Sequence, residues 1–235
     1  MRNRIITLAA TGLAAAALSL AGMAGASASS HPTKNATLVC GFNCFNLSNL
    51  QLDATGTGSF IQNAVGGATG TSVNLRAAGV NKSNEDFQAA FNTTVGIGCA
   101  EGFLAPTSIF CLNPLIFSGD AVIEANFAPD SNQTGLCVGN VAANVAGRVA
   151  LTPCGASPKT TWVFDTANFS VFRHGHLYAA WLNGADTNFS HPLALTVNPS
   201  SKTPRNVLRT DEENLSASFL PDTQLFTFTI GHATA

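Results

Sequence analysis

The chain reads as an all-β domain, and three observations lead there. Only 10% of its 235 residues are charged, too few to coat the wet faces of long helices. Runs of four to seven residues rich in Val, Thr and Phe recur between Gly, Asn and Pro. Within the clearest runs the apolar positions alternate, as in Val73-Asn74-Leu75 and Val149-Ala150-Leu151.

Taken in order, the first element is a targeting segment. Met1-Arg2-Asn3-Arg4 is a basic head, Ile5–Ala21 is an Ala- and Leu-rich apolar run, and Ala26-Ser27-Ala28 fits an A-x-A cleavage site. Residues 1–28 are therefore expected to be a signal peptide of bacterial style. Residues 29–235 then form a single exported domain with room for a sizeable core. No later segment reaches eighteen uninterrupted apolar residues, so no membrane association is expected after cleavage. Two of the eleven bases and none of the thirteen acids lie in the leader, which leaves the mature chain at −4 with His neutral. It has no basic stripe for nucleic acid and no Lys/Arg cluster for anionic lipid.

Six cysteines in an exported chain point to disulfides. Nearest-neighbour pairing would join Cys40 to Cys44, Cys99 to Cys111 and Cys137 to Cys154. The latter two would close loops worth roughly 3 kcal/mol each, whereas the five-residue Cys40–Cys44 ring saves little entropy. Zinc is a poor rival for these thiols, because no CxxC pair with converging His is present.

The middle of the chain repeats itself. Moved by 76 positions, Ser59–Asn63 lies under Gly135–Gly139, Val73-Asn74-Leu75 under Val149-Ala150-Leu151, and Gly79 under Gly155. Phe87 and Trp162 close the two units. A third copy, shifted by 44, matches Ala180–Asn183 and Leu193–Leu195, with Phe226 as its late closing aromatic. Leu38–Phe45, Val122–Phe127 and Phe169–Arg173 are candidates for one further strand opening each unit. The units would span about 38–91, 121–166 and 167–235, with insertions at Asn92–Asp120 and Asn198–Asp222.

This order of strand, Cys-bearing loop, V-x-L strand, Gly/Pro turn and closing aromatic resembles one repeat of the ricin B-type lectins. The resemblance implies a β-trefoil, in which three units close a barrel and its cap around a pseudo-threefold axis; a β-sandwich is the alternative. It also implies where sugar would bind: an Asp after the second strand, an aromatic platform after the V-x-L strand, and an Asn-Gln pair before the closing aromatic. The acid position holds Asn63, Gly139 and Asn183, and the platform position Arg76, Thr152 and Thr196. The amide pair reads Asn84-Glu85, Lys159-Thr160 and Thr223-Gln224. No unit keeps the full set, and unit one, with Asn63, Asn84 and Glu85, comes nearest.

Other residues invite chemistry less strongly. Tyr178 and Trp181 are three apart, so in a strand they face opposite sides. An exposed ring beside Asn183 and Asp186 would make a second contact surface. His174-Gly175-His176 fits a solvated strand–turn junction better than a metal site, whose further ligands would have to come from Asp165, Asp186 or His191. The acidic run Asp211-Glu212-Glu213, beside Arg205 and Arg209, fits a solvated loop. No HExxH, GxSxG, P-loop or SxxK pattern occurs. The sequence thus predicts a secreted, non-catalytic, cofactor-free binding module for extracellular or cell-wall glycans. The alternative is a protein-binding scaffold such as a protease inhibitor, presenting the Cys99–Cys111 loop.

Overall fold

The computed structural model describes residues 44–53, 60–64, 66–77, 82–129, 132–142, 147–185, 192–197, 206–212 and 220–230. The leader, Cys40, Asp186 and His191 lie outside them, as do the side chains of Asn63 and of residues 206–212. Among the described residues run twelve strands. Unit one supplies β1 (Cys44–Asn49), β2 (Phe60–Ala64), β3 (Val73–Ala77) and β4 (Phe87–Thr94). Unit two supplies β5 (Ala121–Phe127), β6 (Leu136–Asn140), β7 (Gly147–Pro153) and β8 (Thr161–Arg173). Unit three supplies β9 (His176–Asn183), β10 (Leu193–Val197), β11 (Asn206–Glu212) and β12 (Phe226–Ile230).

The first and last strands of each unit close a ring. β1 pairs with β4, β4 with β5, β5 with β8, β8 with β9, β9 with β12, and β12 with β1, all antiparallel. The middle strands form three hairpins, β2–β3, β6–β7 and β10–β11. Pairings of β11 with β3 and β7, and a bridge from Ser72 to Ala150, knit the hairpins into a cap. A six-stranded barrel capped by three hairpins is the β-trefoil, and its closure excludes the sandwich.

Register makes the threefold relation quantitative. Each closing aromatic faces one residue of its own unit's opening strand: Phe87 faces Phe45, Trp162 faces Ile123 and Phe226 faces Ala179. Four residues further along the next unit's opener, the same aromatics face Phe127, Asn183 and Asn49. All three aromatics are buried in one core cluster with Val73, Leu75, Val149 and Leu151. A barrel of alternating strands can bury these side chains only once three units surround them.

A second apolar cluster lies on the barrel's outer face. Between β4 and β5 the chain forms two short helices, α1 (Val95–Ala100) and α2 (Ile109–Leu112), capped by Thr94 and Ser108 and joined by the Cys99–Cys111 disulfide. Leu104, Ile109, Phe110 and Phe117 of this insertion pack against Val163, Tyr178, Ala180 and Leu182. Tyr178 and Trp181 do face opposite sides, but both are buried: Trp181 joins the barrel core and Tyr178 the outer cluster. The expected exposed ring is absent because the insertion covers that face.

The third unit departs from expectation. Ala180–Asn183 belongs to the opener β9, not to a second strand; Leu193–Leu195 is the second strand, and β11 is the third. Phe169–Arg173 is the far end of β8, which bulges between Asp165 and Ser170 and continues into a hairpin with β9. Asp211 and Glu212 pair with Ala194 and Leu193 within the cap, so they belong to a strand rather than to a loop. His174 and Gly175, both at positive φ, form the two-residue turn of the β8–β9 hairpin. They and His176 are exposed, as expected of a solvated junction.

Candidate binding site

The barrel registers identify three equivalent stations. Ile61, Cys137 and Ala194 occupy matching places against Ser48, Asn126 and Leu182 of their own openers. Two residues on, the acid position of each unit is therefore Asn63, Gly139 and Thr196. Asn183, assigned to this position from sequence, belongs elsewhere. Across each hairpin the partners are Asn74, Ala150 and Arg209. The segment before each closing aromatic adds Asn84 with Glu85, Lys159 with Thr160, and Thr223 with Gln224.

Station two is filled by its own side chains. A Cβ on Gly139 would lie 2.6 Å from Thr152 Oγ1 and 3.3 Å from Thr160 Cγ2. Thr160 is buried and donates its hydroxyl to Glu124, whose carboxylate also accepts the backbone N–H groups of Gly155 and Ala156. Glu124 lies near Cys137 and Cys154, but those sulfurs form a disulfide and are not available to a metal. Station three is closed as well. Gln224 donates to Thr196 Oγ1 at 3.3 Å, and both residues are buried.

Station one differs in chemistry and exposure. Val73 and Leu75 face the core, which turns Asn74 outward, and Asn74 is half-buried. Asn84 is half-buried on a 3-10 turn, Lys82–Glu85, that packs on β2. Among the described residues neither amide side chain has an internal hydrogen bond. Glu85, on the same turn, is buried with a partner. Asn74 escaped the sequence reading because it was counted only as the middle of the V-x-L strand; its cross-strand pairing with Asn63 appears only once the hairpin register is known.

The second expected surface does not form. Trp181 is buried, with Phe45 and Phe164 against its ring. Asn183 is a structural pin: its amide donates to the carbonyls of Lys159 and Thr161, and its oxygen accepts from Ala185 N–H. Asn49, its threefold mate, does the same with the carbonyls of Asp222, Thr223 and Leu225 and the N–H of Gln51. These residues hold the segment before the preceding unit's closing aromatic.

Two of the expected disulfides form, Cys99–Cys111 and Cys137–Cys154, with Cα atoms 5.5 and 4.9 Å apart. Cys44 is disulfide-bonded too, while Cys40, its expected partner, lies outside the described residues.

A buried carboxyl pair stands apart from the stations. Asp120 accepts from the N–H groups of Thr166 and Ala167 and from the Thr166 hydroxyl. Asp165 accepts from the backbone and side chain of Asn168. Together they hold the β8 bulge. Burial, then the charge of Asp165, pushes Asp120 up to about 7, against partial relief from its hydrogen bonds. Burial raises Asp165 as well.

No family model and no curated protein matches this chain. Solved structures do resemble it in the course of the chain. A designed 3-fold symmetric protein, ThreeFoil, superposes with a TM-score of 0.47 at 9% identity, over 79% of this chain and 97% of that one. A mosquitocidal holotoxin gives 0.45 at 9% identity over 81% of this chain, and the hemolytic lectin CEL-III gives 0.43 at 15% identity over 80%. The chain spans 17% of the holotoxin and 31% of the lectin.

Proposed function

We propose that the protein is a secreted, non-catalytic binding module that holds extracellular glycans at station one. The supporting observation is the contrast among the three stations. Units two and three have filled the position with Thr152 and Thr160 over Gly139, or with Thr196 and Gln224, whereas unit one offers Asn74, paired across the hairpin with Asn63, and Asn84 beside Glu85. Amide groups that both donate and accept are suited to vicinal hydroxyls. Asn74 and Asn84 are accessible for that role. No aromatic platform is added by Arg76, so the grip on sugar would be polar and of modest affinity.

A screen of the exported protein against polysaccharides and cell-wall fragments tests this reading. Binding that Asn74→Ala and Asn84→Ala each weaken about tenfold is the expected result, from the loss of one or two hydrogen bonds. Wild-type protein that retains no glycan would refute it. The protein-binding alternative draws support from the insertion closed by Cys99–Cys111; inhibition of a serine or cysteine protease would favour it.

A further inference from the structure

Exposed apolar side chains are concentrated outside the stations. Of the seven large hydrophobic residues exposed among the described residues, four lie on the insertion: Ile97, Leu112, Leu115 and Ile116. Leu115 is 87% exposed, which leaves almost its whole side chain in water. The disulfide and the buried Phe110–Phe117 contact hold this surface in place, so the exposure belongs to an anchored segment. Two more, Phe172 and Leu177, face each other across the β8–β9 hairpin. The root of that hairpin packs against the insertion through Phe169, Val171 and Tyr178.

Charge indicates what fits there. Between Val95 and Gly119 the sequence holds a single charged residue, Glu101. The adjoining hairpin tip carries Arg173, His174 and His176, all exposed. Arg173 bonds to the Phe172 carbonyl and to no carboxylate among the described residues. A protein of net negative charge thus presents an aliphatic, almost uncharged segment, and the adjoining hairpin carries one exposed arginine. Protein interfaces concentrate their binding energy in Tyr, Trp and Arg seated in pockets. Exposed Leu and Ile on an almost uncharged segment, with an arginine on the adjoining hairpin, instead suit a bilayer surface, where acyl carbon lies just beneath phosphate.

We propose that this insertion docks the protein onto lipid membranes, with Leu115 and Ile116 entering the headgroup–acyl boundary and Arg173 meeting lipid phosphate. The site is separate from station one and does not depend on the glycan reading. The sequence argued against lipid from its lack of a Lys/Arg cluster, but membrane affinity also scales with the apolar area buried, which the insertion supplies.

Co-sedimentation with phosphatidylcholine vesicles, with and without phosphatidylglycerol, tests the proposal. The exported protein is expected to bind both, more strongly with the anionic lipid. L115N/I116N should lose about tenfold or more in partitioning, given the burial free energy of an aliphatic side chain. Both positions are exposed, so the variant should keep its unfolding midpoint. V141N, altering an exposed apolar residue on the cap, should bind as wild type does. Asn84→Ala should also bind vesicles normally, which separates failure of this proposal from failure of the glycan reading. Wild-type protein that stays in the supernatant would overturn the proposal, as would L115N/I116N binding undiminished. A dimer that L115N/I116N dissociates, without vesicle binding, would overturn it in favour of a second copy, and capture of a protein target alone would do the same.

Discussion

Replacing Asp120 by Asn isolates the energetic consequence of the buried carboxyl pair. Asp120 changes from an ordinary value of 3.8 to about 7 on folding. Between these values the unfolded chain has released a proton that the folded protein keeps. The folded state is therefore favoured by acid, and its stability falls as pH rises through about 7. At roughly 1.4 kcal/mol per pH unit, the penalty accumulated by pH 8 is at most about 4 kcal/mol. Asn at this position keeps an oxygen for the N–H groups of Thr166 and Ala167 and cannot ionise. Its amide can also donate toward Asp165. Urea unfolding of wild type and D120N at a series of pH values between 4 and 8 measures the difference. The two proteins should be similar in stability near pH 4, and D120N should be the more stable by about 2–4 kcal/mol at pH 8. A constant difference across the range would refute the account of a raised Asp120, and so would a variant destabilised most at high pH.

Three other outcomes follow from the stations and pins. Gly139→Asp, which places the family's acid in unit two, should fail to create a sugar site and should destabilise the fold by about 2–3 kcal/mol, because its Cβ meets Thr152; urea unfolding and a glycan screen read both effects. Asn183→Ala removes two donated bonds and one accepted, and should cost about 2–3 kcal/mol in unfolding while leaving glycan affinity unchanged. The Cys99→Ser/Cys111→Ser double variant should lose about 3 kcal/mol and admit faster proteolysis between α1 and α2, measured by limited digestion under native conditions.

Two units were legible in the sequence because their middle hairpins share both apolar spacing and turn spacing. Moving β2–β3 by 76 positions superposes it on β6–β7 without a gap, and the closing aromatics fall one residue apart. The third unit hid for definite reasons. β11 reads NVLRTDE, polar at most positions, and it pairs with β3 and β7 of the other two cap hairpins. β8 runs thirteen residues through a bulge and reverses in two, so no Gly/Pro-rich loop marks the border between units. The aromatics of β9 then aligned with the wrong strand, and that slip carried Asn183 into the acid position. Burial of Tyr178 was equally hidden, since it depends on an insertion contributed by residues more than sixty positions earlier.

The departures from symmetry also show in how the segment before each closing aromatic is held. Unit three provides Asn183 to hold the segment before Trp162, and unit one provides Asn49 to hold that before Phe226. At the equivalent place unit two has Phe127, which is buried against Phe87 and cannot donate to any carbonyl. The backbone link at this junction survives, from Ala128 N–H to the Asp86 carbonyl, as its counterparts do at Leu50 and Gly184. What is lost is the side-chain pin; the 3-10 turn Lys82–Glu85 precedes Phe87 without it, as the 3-10 turn Asp222–Gln224 precedes Phe226 with it. That turn packs on β2 and leaves Asn84 half-buried, while Asn74 lies on the outward face of the β2–β3 hairpin. Exchanging Phe127 for Asn would therefore be a poor way to add a third pin. It would restore the pin's donor but remove an aromatic side chain from the barrel core, at a cost of about 3–5 kcal/mol on the scale of large-to-small substitutions. At the first junction, packing of Phe127 on Phe87 takes the place of the side-chain pin.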